Sequence, residues 1–98
     1  MEIMIGDFKF SVLENGSNLT PQNCTFRVLS SDPTSVDSLF RGEESFMMRH
    51  SEDEEWVTVA NEYDVSYVEL RHDIDIGWVD GEMKRADVTT VYMVRKGG

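Results

Sequence analysis

The chain predicts a mainly β domain, a β-sandwich or partly open barrel of roughly six to seven mostly antiparallel strands with one short helix near residues 33–41. Three observations lead there. Apolar residues alternate with polar ones along most of the 98 residues. Glycine, asparagine and aspartate clusters interrupt that alternation at short intervals. Only one stretch places its apolar residues at helical spacing. At this length, and with 40% hydrophobic residues, the chain makes a single domain, 1–98, with one small core.

The elements follow in order. MEIMI and FKFSVL form a hairpin, with Ile3 and Ile5 on one face and Phe8, Phe10 and Val12 on one face. Gly6-Asp7 is its two-residue turn, where glycine supplies a positive φ. ENGSN, Glu14 to Asn18, is the next break. NCTFRVLS is a strand with Cys24, Phe26 and Val28 inward. In SSDPTSVDSLFRG, Ser31 or Asp32 can cap a helix and Pro33 suits its first turn. Val36, Leu39 and Phe40 make its apolar stripe, and Gly42 sits where a helix stops. A helix of about two turns cannot hold itself, so it must lie on the sheet.

ESFMMRH and WVTVA read as strands flanking an acidic stretch. YDVSYVEL carries Tyr63, Val65 and Tyr67 on one face and Ser66, Val68 and Leu70 on the other, as a central or partner-covered strand would. DIDIGWVDGEMKRAD is less regular, with turn signals at Gly77 and Asp80-Gly81. DVTTVYMVRK is the last element and is β-rich. There is no repeat and no linker.

Nineteen acids against nine bases give a net charge of −10. The acidity is regional: His50 to Asp80 holds ten acids against Arg71 alone. Such a field repels nucleic acid and anionic membrane and favours basic protein partners. The lone Cys24 cannot form an intrachain disulfide, which suits a reducing compartment or a virion assembled in one. No secretory signal is visible, and no apolar run approaches the roughly 20 residues that span a bilayer.

HSEDEEW, His50 to Trp56, is the first candidate site. Glu52, Asp53, Glu54 and Glu55 lack the alternate ligand spacing and the glycine of a calcium loop. They suit a solvated hairpin tip whose like charges discourage sheet-edge pairing. With Glu62, Asp64, Asp73 and Asp75 they make up an acidic surface. In RHDID, a regular strand would put Arg71, Asp73 and Asp75 on one side and His72 on the other, with Arg71 available to pair with Asp73. His50 and His72 share no ligand spacing, Cys24 sits at an inward position, and neither G-x-S-x-G nor a phosphate loop occurs. No catalytic residue, metal or cofactor is therefore assigned. A small hydrolase built on His72, Asp73 and Asp75 is a third functional reading.

What stands out instead is a surplus of large side chains. Trp78, Tyr63, Tyr67, Met47 and Met48 are the set expected to contact another subunit, because aromatics and methionine are enriched where proteins meet. Trp56 is expected to turn inward.

EIMIGDFKF, TFRVLSS, SVDSLFRG, YDVSYVEL and ADVTTVYM follow one another in a layout that resembles small tail-module proteins of tailed bacteriophages and prophages. The resemblance covers most of the chain, although the acidic middle is heavier than in that group. It implies a non-enzymatic virion assembly or adaptor role near tail or baseplate. It also implies homo- or hetero-oligomeric contacts with other protein subunits, and a location in the virion or the bacterial cytoplasm. The alternative is an acidic mimic of DNA that occupies the basic cleft of a nucleic-acid-binding protein. That reading needs the acids of residues 50–80 on one face.

Overall fold

The computed structural model describes residues 1–19, 22–42, 45–60 and 62–96, with the backbone alone at 19, 42 and 79. The described residues form strands β1 (Glu2–Ile5), β2 (Phe8–Leu19) and β3 (Asn23–Val28), helix α1 (Pro33–Gly42), then β4 (Ser45–Arg49), β5 (Val57–Ala60), β6 (Tyr63–Val79) and β7 (Glu82–Arg95). The strands make one antiparallel sheet in the order β5-β4-β1-β2-β3-β7-β6, curled into a half-barrel. The first residue of the ESFMMRH strand, Glu44, lies outside the described residues.

The connectivity explains the curl. β5 and β6 are the two outer strands of the sheet, yet only residues 61 and 62 separate them in the chain. Three Cα–Cα steps reach at most about 11 Å, so the last residue of β5 and the first of β6 must lie close together. A flat sheet of seven strands would hold them roughly 28 Å apart at the usual strand spacing. The sheet therefore bends back on itself, and α1 fills the concave side next to β6 and β7.

Alternation dictates the core. Ile3, Ile5, Val12, Cys24, Phe26, Val28, Phe46, Val91 and Met93 point inward and meet Val36 and Phe40 of α1. Phe26, Phe40 and Phe46 form its centre, with ring centroids 5.8–6.0 Å apart. The pairs of Phe46 are edge-on and the Phe26–Phe40 pair is offset-stacked, arrangements that add attraction beyond area burial. Asp32 settles the choice of cap: its Oδ1 accepts the Ser35 N–H at 3.1 Å and its Oδ2 the Ser35 hydroxyl at 2.6 Å.

Three parts of the sequence fold differently from the simple reading. ENGSN is a bulge inside β2 and not a chain turn: register jumps from Leu13↔Arg27 to Asn18↔Thr25. Ser17 ties the bulge, its hydroxyl donating to the Leu13 carbonyl and accepting the Arg27 N–H. Gly16 has φ +90° there, and a Cβ on it would meet the Arg27 Cδ at 2.7 Å. In β6, Ser66 is an extra residue between Val65↔Met93 and Tyr67↔Tyr92. That bulge turns Tyr67 to the outer face and returns Val68 to the core. Finally, DIDIGWVDGEMKRAD is a continuous ribbon. Beyond Arg71↔Val88, β6 and β7 pair only with each other, as a two-stranded arm running to the Asp80-Gly81 turn. Asp80 and Gly81 have φ of 53° and 79°, the pattern of a type I′ hairpin turn. The molecule is correspondingly long, 44 × 29 × 24 Å.

Candidate functional site

The arm is the first feature. Its two-residue turn puts Trp78 opposite Met83, so both side chains share one face near the tip. Trp78 is 71% exposed and Met83 47%. Both are far more open than large apolar side chains usually are. Lys84 and Arg85 follow Met83, held to Glu82 at 3.0 Å and to Asp73 at 3.3 Å.

The arm also decides the fate of RHDID. His72 and Asp73 both lie opposite Asp87, a bulge that ends strict alternation. The Asp87 carboxylate accepts the Asp73 N–H at 3.2 Å and lies 3.3 Å from His72 Nδ1. Asp73 has φ 54°, which aspartate tolerates better than most residues. Asp73 pairs with Arg85, Asp75 accepts the Gly77 N–H at 2.9 Å, and Arg71 pairs with Glu69 at 3.1 Å. The expected Arg71–Asp73 pair on a shared face is thus replaced by separate partners, because the bulge re-aims each side chain. Among the described residues, no three His, Cys, Asp or Glu side chains come together as a metal site. Burial pushes the Cys24 thiol up to about 12, so it stays a protonated core side chain.

The second feature is an open groove of about 420 Å³ at the mouth of the half-barrel. Met1, Phe26 and Met48 give it an apolar floor. Glu14 and His50 stand exposed on its rim, with Nδ1 of His50 3.0 Å from Oε1 of Glu14. HSEDEEW forms the β4–β5 loop beside this rim, its four acids exposed. A turn bond from the Glu54 N–H to the Ser51 carbonyl shapes the loop. Trp56 is half-buried under the guanidinium of Arg49, 4.4 Å from the ring centroid.

The sequence-predicted contact residues separate accordingly. Tyr63, 8% exposed, belongs to the core. Tyr67 lies on the outer face, 54% exposed and stacked on Tyr92 at 4.3 Å. Met47 is exposed on β4, while Met48 is half-buried in the mouth groove. The acids also separate. Glu52, Asp53, Glu54 and Glu55 sit on the β4–β5 loop and Glu62 and Asp64 at the start of β6, with Asp73 and Asp75 on the arm. From Asp64 to Asp75 the strand runs roughly 30 Å. Met83 was legible but missed, since a two-residue turn at Asp80-Gly81 places it opposite Trp78. The Glu14–His50 pair joins positions 36 apart and had no sequence signal.

Acid should weaken the fold in a defined way. Glu2 bridges Arg49 at 2.7 Å and Lys9 at 3.4 Å. The Arg49 hydrogen bond leads in holding its carboxyl below the ordinary 4.5. Hydrogen bonds from His50 and Ser35 do the same for Glu14 and Asp32. A carboxylate depressed in the fold stabilises it fully above its unfolded value and ceases to as pH falls through the folded one. Thermal melting should therefore fall progressively below about pH 4.5. Glu2→Gln should lower the melting temperature at neutral pH and flatten that acid limb; an unchanged limb would remove Glu2 from the account.

Among the described residues, no helix is long and apolar enough to cross a membrane. No protein-family model, curated protein or solved structure matches the chain.

Proposed function

We propose that the chain is a non-enzymatic assembly or adaptor protein of the phage tail-module type, acting through contacts with other protein subunits. The observation that carries this reading is the free β6–β7 arm with Trp78 and Met83 exposed on one face of its tip. A ribbon whose strands pair only with each other adds little to a core and exposes apolar area at its tip, so stability alone does not account for it. Strand addition at the sheet edges is disfavoured. β6 carries three bulges and several acids, and β5 is only four residues long. Contacts then fall to the arm and the sheet's outer face. The mimicry of DNA rests on charge alone, because the acids occupy three separate places in the fold.

Size-exclusion chromatography with light scattering tests the proposal, joined to cross-linking against proteins encoded by neighbouring genes. Self-association or a defined complex is the expected result. A chain that stays monomeric, captures none of those proteins and competes with DNA for a basic nuclease would replace the assembly reading with mimicry.

A further inference from the structure

We infer that the occupant of the arm tip is a second copy of this chain, with Trp78 of one copy seated in the mouth groove of the other. This rests on the assembly reading and names its partner. Two surfaces of the same molecule fit the pairing. The arm ends in an indole that is 71% exposed beside Met83. The groove is open, floored by Met1, Phe26 and Met48, and roomy enough for an indole and its neighbours.

Charge selects the orientation. In a chain of net −10, copies repel one another over most of their surface. The arm near its tip is an exception: Lys84 and Arg85 follow Met83 and offset Asp80 and Glu82, so residues 78–85 carry no net charge. The groove's rim carries Glu14, and the smaller groove alongside, which shares Met48 and His50, carries Glu54 and Glu55. The tip can therefore approach the groove of a second copy without the repulsion that the acidic surfaces meet. Any docking that brought two acidic loops together would be opposed.

The contact is between unlike surfaces, so it can be tested by complementation. Trp78→Ala removes the knob and leaves the groove. Asn18→Arg places a long cation at the mouth, which Asn18 lines from an exposed position. Each variant alone is expected to self-associate on the order of tenfold more weakly than the wild type, as loss of a buried tryptophan anchor does. Mixing the two should restore a heterodimer, since one copy brings an intact knob and the other an intact groove. Circular dichroism checks that both variants fold; should Asn18→Arg not fold, Glu14→Lys at the exposed rim takes its place. Wild-type association that both variants leave unchanged overturns the second-copy contact while the assembly reading stands. A wild-type chain that does not self-associate but binds another subunit through Trp78 also overturns it. A chain with neither behaviour overturns both.

Discussion

Phe26→Ala is expected to destabilise the protein by about 3–5 kcal/mol, the usual cost of deleting a fully buried phenylalanine. Phe26 is 1% exposed and touches both other rings of the aromatic centre, so its loss opens a cavity that neither neighbour can fill alone. It stands on β3, between β2 and β7, with sheet on both sides and helix above. Backbone relaxation into the cavity is therefore limited. A domain this size is stable by roughly 5–15 kcal/mol, so the variant should be marginal or unfolded at ordinary temperature. Urea unfolding measures it, with Phe26→Leu as the milder comparison. A cost below about 1 kcal/mol would mean that the core is centred elsewhere.

Val36→Asp should be comparably damaging by another route. Val36 is 0% exposed and faces the concave side of the sheet, where a carboxylate would find neither water nor a cation. Burying an unpaired charge costs several kcal/mol, which here exceeds what holds a ten-residue helix in place. The expected result is release of α1, exposure of Phe40 and Phe46, and binding of an apolar dye. Ser38→Asp, the same chemistry on the exposed face of the helix, should change stability by no more than about 0.5 kcal/mol. Equal effects from the two substitutions would show that α1 does not plug the half-barrel.

Much of this fold could be read from residues in order. Val36, Leu39 and Phe40 at helical spacing, after a capping Asp32 and Pro33, set the helix and its buried face. Cys24, Phe26 and Val28 alternated and are all buried. The HSEDEEW loop could be placed because four adjacent acids are stable only in water. The bulges were not legible, because an extra strand residue looks like any other until its partner is known. Ser66 shows the consequence: one inserted residue sent Tyr67 outward while Tyr63 stayed in the core.

The candidate site divides along the same line. Trp78 stood out because a large indole in a turn-rich segment has no assured cover, and the Asp80-Gly81 turn already implied its cross-strand mate. The arm's independence did not show in the sequence. It depends on β3 ending at Val28, which leaves β7 unpaired on that side beyond Thr89. The mouth groove depends on more still, since it joins Glu14, Phe26 and Met48 from three strands with Met1 and His50, which lie just outside β1 and β4.

The sequence by itself determined which residues prefer water or core and where the chain must turn. Those are local preferences of side chain and backbone, written in nearest-neighbour order. Only the tertiary structure decided that the sheet curls until β5 and β6 approach, that a ribbon projects past it, and that RHDID forms separate ion pairs. Those outcomes follow from register and closure, which depend on strands far apart in sequence and on bulges that shift every later side chain.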